Sequence, residues 1–276
     1  MSKLLSQSWK DWTRENYELG IPPTKIFEIL VNHDFDLKDI ENELTSLKNE
    51  KKVNKTKDSS IKQSNTHIQN SIKVEIENNV LDLYKIDNFL SNEVCKKLTS
   101  IIKANKVKSE VSNAKKADGY VSSTRTSSTC NLVENMDSVV RDVDNKILEC
   151  IGIHQSRGES IQGQHYDKTQ EFKPHTDTFQ PNSEEYDLHC LNRGGQRTWT
   201  FMIYLNSTEE GGETKFNKVK GVDGSEVIFK PKTGMALVWN NLKSDGTPNF
   251  HSLHQGCPVV SGEKTIITKW FRERKI

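Results

Sequence analysis

An α+β protein, with a double-sheet β-fold carrying helices on one side and a small helical module ahead of it, is what the amino-acid sequence implies. Three observations lead there. Helix-period apolar patterns occupy the first 48 residues and only two later segments. A polar, lysine-rich stretch follows the first group. From about Ser160 onward the chain breaks into short β-branched or aromatic runs separated by Gly, Pro, Asn and Asp. Helices followed by a succession of strands fit sheets packed face to face with helices on one side.

In chain order, Trp9, Trp12 and Leu19 suggest an amphipathic first helix that Gly20 and Pro22–Pro23 close. Thr24 is placed to cap a second helix carrying Ile26, Phe27, Ile29, Leu30 and Val31. Asp36 is placed to cap a third carrying Ile40, Leu44 and Leu47. This trio, residues 1–48, loosely resembles a ubiquitin-associated-type bundle and is a candidate docking module for a protein partner. Residues 49–78 read as a flexible polar linker. Seven lysines stand between Lys48 and Glu75 against Glu50, Asp58 and Glu75, with no apolar period. Residues 79–276 form the main domain. A strand is expected at Val80–Ile86, a helix capped by Ser91 running to Ala104, and a second helix over Met136–Cys150 that stops at Gly152. Strands are expected at Ser160–Tyr166, Thr198–Leu205, Glu213–Phe216, Glu226–Phe229, Met235–Trp239 and Thr265–Phe271.

Composition narrows the class. The apolar fraction is 33% and the mean hydropathy −0.73, which predicts a lean core. A net charge of +1 gives no global field to capture nucleic acid or an anionic membrane. No stretch is long and apolar enough for a membrane span, and Met1–Lys10 lacks the apolar run of a signal peptide. Five cysteines, an odd number at wide spacings without a C-x-x-C, argue against disulfides and zinc. The expectation is a soluble intracellular, cytoplasmic protein; the Lys- and Asn-heavy composition suggests an AT-rich microbial or viral genome.

The chemistry concentrates in Phe172-Lys173-Pro174-His175-Thr176-Asp177. Residues i and i+2 of a strand share a face, so His175 and Asp177 can converge on one point. An imidazole and a carboxylate are two-thirds of the 2-His-1-carboxylate set that holds non-haem Fe(II) with positions left open. The third ligand lies downstream, at His251 or His254. These two are three apart, so a strand sends them to opposite faces and only one can ligate. Lys264, ten residues beyond His254, is suited to pair with the distal carboxylate of a dicarboxylic cosubstrate. Gly211–Gly212 marks a tight turn; no Lys-Ser/Thr follows as a phosphate loop needs. The acid pairs Glu184–Glu185 and Glu209–Glu210 read as solvated surface charge.

His175-x-Asp177, His254 and Lys264 together resemble the active-site set of prolyl 4-hydroxylases, within the 2-oxoglutarate/Fe(II) dioxygenase superfamily. Further ordered motifs strengthen the likeness over about Val80–Arg272: Arg125-Thr126-Ser127-Ser128, Gln164-His165-Tyr166, Arg193-Gly194-Gly195-Gln196-Arg197, Glu210-Gly211-Gly212-Glu213-Thr214, Leu253-His254-Gln255-Gly256-Cys257-Pro258-Val259 and Lys269-Trp270. The resemblance implies a double-stranded β-helix (jelly-roll) core and Fe(II) held by His175, Asp177 and His254. It implies 2-oxoglutarate anchored by Lys264, with Tyr166 and Thr200 as hydroxyl partners, and O2 and L-ascorbate as further participants. Arg125 and Trp239 are expected on the peptide side. The implied activity is that of a procollagen-proline 4-dioxygenase-like enzyme acting on proline-containing peptides, with no nucleic-acid or membrane partner. Competing readings are a same-fold enzyme acting on another residue or on nucleic acid, and a non-catalytic peptide-binding module. Three polar segments, Lys106–Ser123, Thr178–Asn192 and Asn240–Asn249, are expected around the pocket mouth, the first as a lid.

Overall fold

A computed structural model describes residues 3–18, 23–57, 68–109, 124–133, 135–181 and 183–276. The helices are α1 (Gln7–Glu18), α2 (Pro23–Asn32), α3 (Leu37–Lys57), α4 (Asn92–Asn105) and α5 (Ser138–Ile151). The strands are β1 (Ile72–Lys73), β2 (Leu83–Ile86), β3 (Val107–Lys108), β4 (Ser128–Leu132), β5 (Ile161–Tyr166), β6 (Phe172–His175) and β7 (Arg197–Tyr204). They continue as β8 (Glu210–Gly211), β9 (Thr214–Lys220), β10 (Glu226–Phe229), β11 (Ala236–Asn240), β12 (His254–Gly256), β13 (Val259–Ser261) and β14 (Lys264–Arg272).

All strand pairings are antiparallel. Eight strands form one sheet in the order β1-β2-β11-β7-β14-β5-β4-β3, and four form a second in the order β10-β9-β12-β6. The period-2 alternation of the central strands divides the core. From β11, Ala236 and Val238 join Phe201 and Ile203 of β7 and Ile267 and Phe271 of β14 in a cluster with Leu98, Ile102, Val143 and Ile147 of α4 and α5. The alternate residues Leu237, Trp239, Met202, Tyr204 and Ile266 pack instead with Phe216, Val219 and Val227 of the smaller sheet. Central strands buried on both faces therefore present a second set of side chains, including polar ones, to the space between the sheets. α1–α3 bury a core of their own around Leu5, Ile26, Leu30, Phe35 and Ile40.

Several expectations shift. Pro23 opens α2, where its missing N–H costs nothing, so Thr24 lies inside the helix and not at its cap. Asp36 does cap α3: its carboxylate accepts from the N–H groups of Lys38 and Asp39 at 3.0 and 3.2 Å. Of the expected 49–78 linker, residues 49–57 continue α3, built from residues that propagate a helix despite lacking an apolar face. Ile68 and Ile76 are buried in the main cores and β1 pairs with β2, so 68–78 belongs to the packed domain; residues 58–67 lie outside the described residues. β2 starts at Leu83 and not at Val80, because Asn78 and Asn79 adopt positive φ in a turn. Ser91 caps α4 and Gly152 terminates α5 with φ +70°, as the sequence signals require. Among the described residues the five cysteines are free, and no helix is long and apolar enough to cross a membrane.

Candidate metal and cosubstrate site

Pairing of β12 with β6 sets His254 directly opposite His175, and Asp177, two residues past the end of β6 and so not within the expected strand, lies alongside. The ligating atoms of His175, Asp177 and His254 all lie within 4.8 Å of one another, the one such grouping among the described residues. The imidazole centroids are 4.3 Å apart. His251, the alternative third ligand, sits in the preceding turn, where its Nδ1 is 3.2 Å from Asn249 Oδ1.

Each imidazole is held by its far nitrogen. Nδ1 of His175 lies 2.8 Å from the carbonyl oxygen of Lys173, and Nδ1 of His254 lies 2.9 Å from that of Ser252. A carbonyl can only accept, so both Nδ1 atoms carry the hydrogen and both Nε2 lone pairs are free. Burial, with the neighbouring His254 second, pushes the His175 imidazole well below its ordinary pKa, which keeps it neutral and able to ligate. Burial alone would raise the Asp177 carboxyl; the positive charge of Arg197, any positive charge carried by His254 or His175, and a hydrogen bond from Thr200 outweigh it and hold the group below its ordinary pKa. Two imidazoles that present Nε2 and one carboxylate fit Fe(II). Phe172 stacks on His175 at 3.5 Å between centroids, and Trp239 lies against His254 at 4.8 Å, so both rings are braced by apolar faces.

These residues border a cavity of about 500 Å³. Its floor is the inward face of the large sheet: Gln162, Gln164 and Tyr166 of β5, Thr200 and Met202 of β7, and Lys264, Ile266, Thr268 and Trp270 of β14, each set spaced by two. Lys264 is 1% exposed, and its Nζ donates to the Gly212 carbonyl at 2.9 Å and sits 4.6 Å from the Tyr166 ring centre, its cross-strand partner. Burial lowers its pKa to about 8, slightly countered by Cys257 and Glu213. A buried ammonium with one neutral hydrogen-bond acceptor is electrostatically under-compensated, which suits it to an anionic ligand. Gly256 leaves the room: a Cβ there would stand 3.1 Å from Nζ.

The remaining expected residues distribute unevenly. Tyr166 lines the cavity, but its hydroxyl donates to Gln164 at 2.8 Å. Thr200 also lines it, yet its hydroxyl donates to Asp177 Oδ2 at 2.6 Å and is thus turned to the metal set. Arg125 lies in the wall, 8% exposed, bonded among the described residues to the neutral Ser127, Thr129 and Gln162 and facing the Phe172 ring. Trp239 lines the cavity and is also core, 1% exposed between Phe216 and His254. Thr178, Phe179 and Glu185 bring the 178–192 segment to the cavity. That segment is not a loose loop: Gln196 clasps the Phe179 backbone, and Arg272 donates to the carbonyls of His189 and Gly195. No residue of 240–249 lines the cavity; the stretch is tied back to Thr198 and Val80. Of 106–123, only 106–109 are described, with β3 pairing on β4. The sequence reading missed Thr214, whose hydroxyl accepts from Tyr204 at 2.6 Å, and Asn241. Position within the E-G-G-E-T motif flagged the first, and nothing local flagged the second.

The sequence profile of the 2OG-Fe(II) oxygenase superfamily matches residues 161–272. The chain is 36% identical to probable prolyl 4-hydroxylase 8 of Arabidopsis thaliana over 199 residues, covering 67% of this chain and 66% of that one. It is 32% identical to prolyl 4-hydroxylase 2 of the same plant over 222 residues, covering 75% and 72%. Among solved structures it is similar to a viral collagen prolyl hydroxylase from Paramecium bursaria Chlorella virus-1, determined as a 2OG complex. That match has a TM-score of 0.51 at 26% identity, covering 68% of this chain and 94% of the other.

Proposed function

The chain belongs to the prolyl 4-hydroxylase family of the 2OG-Fe(II) oxygenase superfamily, and from that membership we propose that it hydroxylates prolyl residues of peptides or proteins at the 4-position. The observation that carries the proposal is the convergence of His175, Asp177 and His254 at one cavity that also holds the buried Lys264. The two facing sheets are read as the double-stranded β-helix of the superfamily, with residues 79–276 as the catalytic domain.

Bound Fe(II), 2-oxoglutarate and O2 supply the oxidising power, with loss of CO2 to give succinate and transfer of one oxygen atom to a C–H bond of proline. The chain supplies position. His175 and His254 present Nε2 because their Nδ1–H groups are already committed. Lys264 provides the cation for the distal carboxylate of 2-oxoglutarate, and the Tyr166 ring lies beside its ammonium, 4.6 Å from Nζ. Thr214 and Gln164, with Thr268, are polar groups on the same wall. Arg125, which pairs with no carboxylate among the described residues, offers its guanidinium to the peptide, and Trp239 closes the wall behind His254. Phe172, Phe216 and Trp239 exclude water from the ligands. L-ascorbate is the reductant expected to sustain turnover.

The likeness to a collagen prolyl hydroxylase makes collagen-like and other proline-rich peptides the first substrates to screen. The wild-type chain with Fe(II), 2-oxoglutarate and ascorbate is expected to add one oxygen atom to proline in a subset of peptides, with succinate released in step. His175→Ala and Asp177→Ala are expected to lose both products. Full turnover by His175→Ala, or oxygen found on lysine or on a nucleobase with none on proline, would overturn the reading.

A further inference from the structure

Behind the metal-facing surface runs a chain of buried polar groups. Thr200 Oγ1 is 2.6 Å from Asp177 Oδ2, and Asn241 Nδ2 is 2.8 Å from Thr200 Oγ1. Thr200 and Asn241 are both 0% exposed. An ionised carboxylate has no hydrogen to give, so the Thr200 hydroxyl must donate to Asp177. Its single hydrogen is then used, and its lone pairs can only accept. The neighbour must therefore present its NH2 and not its oxygen, which fixes the Asn241 amide orientation. That orientation leaves Asn241 Oδ1 buried without a partner, a cost the fold accepts at this position.

The anchor is rigid. The Asn241 N–H donates to the Thr198 carbonyl at 2.8 Å, and its carbonyl accepts from the Asn249 N–H at 2.8 Å. Asn241 follows directly on β11, the strand paired with β7, which carries Thr200. The relay occupies Oδ2 and leaves Oδ1 as the Asp177 oxygen nearer His175 Nε2, 3.9 Å away.

We propose that Asn241 is a positioning residue for the metal site: through Thr200 it fixes the rotation of the Asp177 carboxylate and reserves Oδ1 for the ion. This rests on reading His175, Asp177 and His254 as the ligands. An outer partner of this kind alters metal affinity by about 10- to 100-fold in other sites. The relay predicts that Thr200 and Asn241 act as a unit, so their effects on affinity do not add.

The test is titration of the metal-free full chain with Co(II), reading the dissociation constant from the visible absorption of the bound ion. Thr200→Val keeps the shape and removes the donor; it is expected to weaken Co(II) binding about 10-fold or more, while Thr200→Ser restores it. Asn241→Asp is isosteric but offers only acceptors, so it draws the Thr200 hydroxyl away from Asp177. It is expected to weaken binding in the wild-type background and to add nothing to Thr200→Val. Asn241→Ser takes its place in the cycle if the aspartate variant does not fold by circular dichroism. Affinity of Thr200→Val within twofold of wild type, or additive losses in the double variant, overturns the proposal. Wild type and Asp177→Ala binding equally would instead sink the ligand assignment beneath it.

Discussion

At the scale of single residues, the site depends on side chains whose charge is set by burial. Lys264 makes the sharpest case. Its free ammonium has a pKa lowered to about 8 by burial, against about 10.4 for an exposed lysine. Because the folded chain gives up this proton more readily than the unfolded chain, the group adds stability as pH rises from about 8 toward 10.4. Cosubstrate binding runs the other way, because only the cation pairs with the distal carboxylate. The KM for 2-oxoglutarate is therefore expected to be flat below pH about 8 and to climb above it. Lys264→Arg, which stays charged, is expected to abolish that climb, and Lys264→Ala to raise KM at every pH. Steady-state kinetics from pH 6 to 9.5 check this. The His175-x-Asp177 pair and Lys264 stood out in the sequence because spacing and residue type both speak to chemistry, whereas His254 was separated from His251 only by the family resemblance. Thr200 was expected, from the resemblance, as a hydroxyl partner for the cosubstrate, whereas its hydroxyl is bonded to Asp177. The bond to Asp177 joins residues 23 positions apart in the chain, and no local pattern encodes it.

At the scale of elements, terminators and caps carry energies that can be measured. Asp137 accepts from the Val139 N–H at 2.9 Å at the start of α5 and also pairs with Lys97 at 2.7 Å. Asp137→Ala is expected to lower the urea midpoint of unfolding, because the first turn of α5 loses its cap. Gly234 has φ +77°, and a Cβ there would stand 2.2 Å from the Leu90 carbonyl oxygen. Gly234→Ala is expected to cost about 2 kcal/mol or more, combining strain with a backbone collision in the turn before β11. A melting temperature equal to wild type would show that the turn relaxes freely. Helix caps at Ser91, Asp36 and Gly152 could be read directly, since each is a local bond. β12 could not, because His-Gln-Gly has no strand composition and only its pairing with β9 on one side and β6 on the other makes it a strand; β6 was read as a strand only through the spacing of its ligands.

At the scale of the whole molecule, the chain holds a helical core and a β-rich core built from different residues. The broad order of helices, polar stretch and β-rich region followed from composition and period. The edges did not, because α3 runs on through polar residues to Lys57, and Ile68 and Ile76 pack with the main domain across a lysine-rich stretch. Since the cavity is lined from Thr124 to Trp270, deleting residues 1–60 is expected to leave succinate formation within about twofold of the full chain, an effect below 0.5 kcal/mol on the barrier. A truncated chain that folds by circular dichroism but turns over tenfold more slowly would assign the helical module a direct part in catalysis.

The destination of the oxygen atoms tests the proposed chemistry most directly. Turnover of a reactive proline peptide under heavy-isotope dioxygen, followed by mass spectrometry of both products, is the measurement. The account predicts one labelled atom on C4 of proline and the other in succinate, in equal amounts, with neither label formed by the His254→Ala variant. Unlabelled hydroxyproline, or labelled product made equally well without His254, would contradict it.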